Sequence, residues 1–170
     1  AAPDLVVCPT CPATSLADAI ADAEPGAVIE VRGGVYPGGL VIERPVHLVG
    51  VDAPVIDGNG EGSLISARGA DVTVSGFTLR GTGHNLDHED AAIVVENGAA
   101  EISGNRIEDA LFGIYLKQAP DSIVRDNSIF SKDVPIARKG DGIKTWYSDR
   151  VLIENNRASD GRDIILWYSN

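Results

Sequence analysis

The chain has 170 residues, 19 of them Gly and none Met, with a formal net charge of −11. That length forms one domain able to bury a core without staples, and the apolar runs fall far short of the ~18 residues of a membrane span. An acidic balance without clustered Lys/Arg excludes sequence-independent nucleic-acid binding and adhesion to an anionic membrane. The Gly excess, with abundant Val and Ile and few aromatics, points to many turns between short strands.

The chain opens Ala1-Ala2-Pro3, the small-residue start expected after removal of a signal peptide and hence of an extracytoplasmic protein. Cys8 and Cys11 follow in a C-P-T-C spacing within an N-terminal extension, residues 1–13. Without a βαβ context the spacing is a weak redox signal, and a local disulfide or a free thiol pair is expected. Residues 14–25 then read as a capping helix with an apolar stripe of Leu16, Ala19, Ile20 and Ala23, closed by Pro25-Gly26.

From residue 26 to 170 the sequence repeats. The segments starting at Val46, Val72, Ala100, Ser122 and Val151 align. One column, Leu48, Val74, Ile102, Val124 and Ile153, is wholly aliphatic and reads as the interior of a coil. The next, Gly50, Gly76, Gly104, Asp126 and Asn155, holds residues that tolerate positive φ at a corner. Asn105, Asn127 and Asn156 follow, and three successive amides predict a ladder from coil to coil. A second family of strands, from Val28, Val55, Ile93, Ile114, Ile143 and Ile164, precedes the aligned segments. Short period-2 strands recurring every ~22 residues predict an all-β fold, a right-handed parallel β-helix of about six coils with an N-terminal capping α-helix. The sequence stops within or just after a strand, so that end is expected to be open or truncated.

Two insertions, Gly81–Asp90 and Ser131–Asp141, leave one corner two coils apart and are placed to meet over one wall. In the first, His84, Asp87 and His88 offer two imidazoles and a carboxylate to a metal. The competing reading is a solvated loop whose Asp87, Glu89 and Asp90 pair with Arg138 and Lys139. Cys8 and Cys11 form a separate metal candidate. His47 points outward as a surface residue.

An outward strip is expected from Tyr115, Lys117, Lys144, Trp146 and Trp167, with the two Trp stacked, to receive sugar rings or a protein partner. Arg138, Lys139, Asp141 and Asp163 complete the candidate binding set. The carboxylates Asp90, Glu108, Asp109, Asp141, Asp160 and Asp163 gather near one corner. They are the residue types a glycosidase or polysaccharide lyase needs, but no diagnostic pairing marks them, and turn corners use Asp anyway. No residue is singled out as catalytic.

Several stretches resemble the NosD family: Gly33-Gly-Val-Tyr-Pro37, Leu40–Gly50, Pro54–Gly60, Leu86-Asp-His-Glu-Asp-Ala-Ala92, Ala110–Leu116, Gly140-Asp-Gly-Ile143 and Gly161–Ser169. The likeness runs from about residue 14 to residue 170. It implies a periplasmic β-helix, not an enzyme, that works with an ABC transporter to mature the copper–sulfur centre of nitrous-oxide reductase. Implied partners are the transporter's membrane and ATPase subunits, a copper chaperone and the reductase, with no nucleic acid and no direct membrane insertion. Family members continue for further coils, so the chain is expected to correspond to the N-terminal part. Neither the Cys8–Cys11 pair nor the His84–His88 pair maps onto the family pattern, and no cofactor is assigned, copper being the candidate. The alternatives are a carbohydrate-binding or carbohydrate-cleaving β-helix of the pectate-lyase kind, and a copper carrier.

Overall fold

The computed structural model describes residues 2–170. Nineteen strands wind as a right-handed parallel β-solenoid of about seven turns around one apolar axis. The first wall is the seven-stranded ladder of β1 (Leu5–Val7), β2 (Ala27–Arg32), β5 (Val46–Val51), β8 (Val72–Ser75), β11 (Ala100–Ser103), β14 (Ile123–Arg125) and β17 (Leu152–Glu154). The second has six strands, β3 (Val35–Pro37), β6 (Val55–Asp57), β9 (Thr78–Arg80), β12 (Arg106–Ala110), β15 (Ser128–Ser131) and β18 (Arg157–Ser159). The third also has six, β4 (Leu40–Ile42), β7 (Ile65–Arg68), β10 (Ala91–Glu96), β13 (Phe112–Lys117), β16 (Ile143–Trp146) and β19 (Ile164–Trp167). From β2 onward every coil visits the walls in that order, and every pairing is parallel.

The three walls revise the two strand families expected. The strand from Val28 belongs to the first wall, paired Val28↔His47, and that from Val55 to the second, paired Val55↔Thr78. The expected strands from Ile93, Ile114, Ile143 and Ile164 lie in the third wall, where β4 and β7 precede them. Second-wall strands run three to five residues, too short for alternation alone to mark them. Leu5–Val7, within the stretch read as an extension, is the first rung of the first wall, with Leu5 opposite Ile29.

The interior column is aliphatic as expected: Leu48, Val74, Ile102 and Val124 are fully buried, and Ile153 packs against them. Beside it runs the amide ladder. Asn127 Nδ2 donates to Ile102 O at 3.0 Å and to Asn156 Oδ1 at 3.0 Å, while Asn127 Oδ1 accepts from both nitrogens of Asn105 at 3.1 Å. Each Asn thus satisfies corner backbone groups that no strand partner reaches.

At the corners Gly76, Gly104, Asp126 and Asn155 take positive φ of 78°, 63°, 56° and 53°. Gly50 does not, because that coil turns later, at Asp52 and Ala53 with φ of 60° and 48°. Its glycine serves close approach instead, since a Cβ there would lie 2.4 Å from the Gly76 carbonyl oxygen.

The helix α1 (Leu16–Asp22) is shorter than residues 14–25. Ser15 caps it by accepting from the Asp18 amide, and the chain is extended by Ala23, two residues before Pro25. Leu16, Ala19 and Ile20 are buried over the first rung. Of the two readings for the cysteines, the disulfide is present between Cys8 and Cys11. Among the described residues no helix is long and apolar enough to cross a membrane.

Candidate functional site

Parallel register puts two rows of side chains on the outer face of the third wall. One row is Val94, Tyr115, Lys144 and Ile165; the other is Glu96, Lys117, Trp146 and Trp167. The first insertion, residues 81–90, lies across them. Its Leu86 packs into a small apolar cluster outside the coil with Ala91, Leu111, Phe112, Tyr115 and Trp146. Tyr115, expected on the open strip, is therefore buried, with 4% of its surface exposed. Burial first, and the Glu89 carboxylate second, hold its phenol above the usual tyrosine range.

Lys144 is the hub of this face. Its Nζ donates to Glu89 Oε2 at 2.8 Å and stands 4.7 Å from the Tyr115 ring centre and 5.7 Å from those of Phe112 and Trp167. Lys117 reaches the other Glu89 oxygen at 3.8 Å. Together with Glu96, Trp146 and Trp167 these residues line a pocket of about 310 Å³.

Trp146 and Trp167 sit opposite each other in the ladder, as expected. The stacked ring pair, however, is Tyr147–Tyr168, with centres 4.7 Å apart and planes 9° from parallel. Trp146 meets Tyr147 edge-on at 4.7 Å, and Trp167 meets Tyr168 edge-on at 6.4 Å. Tyr147 and Tyr168 both turn corners with positive φ, which swings their rings beside the indoles. These two tyrosines lie outside the strip expected from the sequence. A signal for them is in the sequence: Trp-Tyr-Ser occurs at 146–148 and again one coil later at 167–169.

The two insertions do meet. Adjoining hollows of about 590 and 380 Å³ share His84 and Arg138, with Leu86, Asp87, Leu111, Val134 and Pro135 among their walls. The expected ion pairs across them are not formed. Glu89 pairs with Lys144 and Lys117, Asp90 accepts from the Asn85 amide, and Lys139 Nζ donates to the Asp160 carbonyl. The reason is reach: Glu89 folds back onto the strand lysines, which are held in place by the sheet. His88 Nδ1 is engaged with the Asn85 side chain at 3.1 Å. Among the described residues no group of three or more His, Cys, Asp or Glu is placed to hold a metal ion, His84, Asp87 and His88 included. Cys8 and Cys11 are spent on their disulfide. His47 faces outward, against the Thr73 hydroxyl.

Four of the corner carboxylates have their own partners, Asp90 among them through the Asn85 amide. Glu108 pairs with Arg106, Asp109 with the buried Lys132 at 3.1 Å, and Asp163 lies 3.8 Å from Arg162. Asp141 differs: it is 1% exposed and neither oxygen has a hydrogen-bond partner, although Arg162 Nε is 3.4 Å away. Burial pushes its carboxyl above the usual range against the opposing pull of Arg162 and Lys144.

A parallel β-solenoid carrying its loops, aromatics and charges on one wall is the class that fold and site define. The chain belongs to the right-handed β-helix family, whose model, described as "Right handed beta helix region", matches residues 55–170, and it is a NosD-like member. It is 38% identical over 133 residues to the "Probable ABC transporter binding protein NosD" of Pseudomonas aeruginosa, a stretch covering 76% of this chain and 31% of that protein. The Stutzerimonas stutzeri protein of the same description is 31% identical over 133 residues, covering 76% of this chain and 30% of its own length. The chain thus spans about a third of the length of these curated relatives. A crystal structure of pectin methylesterase in complex with hexasaccharide VII is similar at a TM-score of 0.46 and 18% identity, over 91% of this chain and 67% of that one. At that level it bears on neither substrate nor catalysis.

Proposed function

We propose that this chain is a non-catalytic docking module of a periplasmic assembly factor that works with an ABC transporter. Its task in this reading is maturation of the copper–sulfur centre of nitrous-oxide reductase. The observation that carries the reading is the 38% identity over 133 residues to a protein described as a probable ABC transporter binding protein. The groove between the insertions supports it. Arg138 and His84 stand exposed there beside an apolar lining, and the neighbouring Ile136 is 64% exposed. Apolar surface with an available guanidinium is the composition of an interface core.

Co-expression with the transporter's membrane and ATPase subunits and with the reductase, followed by affinity capture on this chain, tests the proposal. The expected result is retention of the transporter or the reductase, weakened by Arg138→Glu combined with Ile136→Ser. Absence of capture, together with polysaccharide turnover abolished by Asp141→Ala or Asp163→Ala, would replace it with the carbohydrate-cleaving reading.

A further inference from the structure

The tip of the first insertion is fastened to the third wall by side chains and not by backbone. Its turn, Leu86 to Glu89, closes on itself: the Glu89 amide donates to Leu86 O at 3.2 Å, and Asn85 Oδ1 accepts from the amides of Asp87 and His88 at 2.9 and 3.1 Å. Its base is closed too, by Asn85 N to Asp90 Oδ2 at 3.0 Å and Asp90 N to Asn85 O at 3.3 Å. Among the described residues, no backbone group of residues 84–89 bonds outside the loop. Thr82 and Gly83, just before it, are tied down, with amides donating to Asp109 O at 3.3 Å and Gly62 O at 2.9 Å. Beyond them Leu86 in the apolar cluster and Glu89 between Lys144 and Lys117 hold the turn. Glu89 moreover takes a φ of 52°, which is unfavourable for a residue with a Cβ, so closure works against the backbone where the ion pairs form. Open space flanks the turn on both sides, the hollows of about 590 and 380 Å³ toward the second insertion and that of about 310 Å³ toward the indoles.

We infer that residues 84–89 are a displaceable plug, filling in cis a receptor site for a partner protein's turn that presents an aliphatic side chain and, three residues later, a glutamate. The receptor is what lies beneath. Leu111, Phe112, Tyr115 and Trp146 form an apolar socket, and two ammonium groups beside it converge on one carboxylate. Such a site matches an apolar anchor next to an anion, and a neutral or cationic segment would leave Lys144 and Lys117 without a partner. The chain's own Leu86 and Glu89 show that a spacing of three residues satisfies both halves at once. Displacement disturbs no strand, because the loop stays anchored at Gly83 and at Asp90, whose carbonyl accepts from the Phe112 amide at 3.0 Å. The turn keeps its internal bonds when it swings out, so opening exposes no unpaired backbone. This assignment does not rest on the transporter reading.

The probe is a blocked peptide with the sequence of residues 82–92, titrated into the whole chain. Trp146 lies in the socket, and the ring centre of Trp167, the chain's other tryptophan, stands 5.7 Å from the Lys144 ammonium, so intrinsic fluorescence reads occupancy. In wild type the tethered plug competes at an effective concentration of about millimolar or above, and the peptide should bind weakly. Leu86→Ser combined with Glu89→Gln should empty the socket and bind the peptide at least about tenfold more tightly, at an unchanged circular dichroism spectrum. Glu89→Gln alone should fall between the two, and it decides the matter if the double variant does not fold. Adding Lys144→Met should cancel the gain, as should a peptide carrying the Leu86→Ser change. Two results overturn the assignment: binding by the loosened variants that is absent or no tighter than that of wild type, or a changed peptide that binds as tightly as the original.

Discussion

Lys144, on a strand of the third wall, donates at 2.8 Å to Glu89 in an insertion 55 residues earlier in the chain. One side chain thus straps a loop across two coils and closes Tyr115 beneath it. Both partners are less than one-third exposed, at 18% and 27%. Lys144→Met should therefore cost about 1 kcal/mol and raise amide exchange in residues 82–90 before any global change. Hydrogen exchange read by mass spectrometry checks this, and unchanged protection in that loop would show that Leu86 alone holds it.

The amide ladder should be more costly to break. Asn127 is 1% exposed, and its side chain makes four hydrogen bonds, so Asn127→Ala leaves the amide of Asn105 and the carbonyl of Ile102 short of partners inside the corner. A loss of roughly 3 kcal/mol is expected in urea unfolding. Asn127→Asp should be no better, since a carboxylate cannot donate to Ile102 O or Asn156 Oδ1. A loss under about 1 kcal/mol for the alanine variant would mean that water replaces the amide.

These two features differ in how legible they were in the sequence. The ladder could be read because its three asparagines recur in one column of a repeat, and a closed coil forces such a column to stack. The strap could not, because nothing local tells that Glu89 prefers Lys144 over Arg138; that choice depends on the loop folding back over the wall. Tyr115 was placed correctly on the outer face and still lies buried, for the same reason. The second wall does not separate from the third in the sequence, because strands such as Val35–Pro37 and Val55–Asp57 are shorter than two alternation periods. Tyr147 and Tyr168 show in the sequence only as a Trp-Tyr-Ser repeat, which does not tell that these residues turn corners or what their rings meet.

The corner column separates two roles of glycine. At Gly104 a Cβ meets nothing within 4 Å, and the equivalent corners carry Asp126 and Asn155 at similar φ. Gly104→Asn should change stability by no more than about 0.5 kcal/mol. At Gly50 the added Cβ would strike the Gly76 carbonyl at 2.4 Å, which is backbone and cannot rotate away. Gly50→Ala should cost roughly 3 kcal/mol. Similar melting temperatures for Gly50→Ala and wild type would show that the two coils can separate locally without loss.

Asp141 sets a pH dependence of unusual sign for a carboxylate. Burial raises its folded-state pKa above the unfolded value of about 3.9, so the folded protein binds this proton more strongly than the unfolded chain does. Its contribution is then fully favourable below the unfolded value and is lost as pH rises through the raised folded value. Asp57 acts in the opposite sense. Hydrogen bonds from the Asn59 amide and Arg80 hold it below the usual range, and its contribution is lost as acid protonates it. Replacing the buried charge by a neutral isostere isolates the first effect. Asp141→Asn should be more stable than wild type at pH 7, with the difference vanishing below about pH 4, where both forms are neutral. Urea unfolding of the two proteins across that range measures it. A variant less stable than wild type at pH 7 would show instead that attraction to Arg162 and Lys144 outweighs the cost of burying the carboxylate.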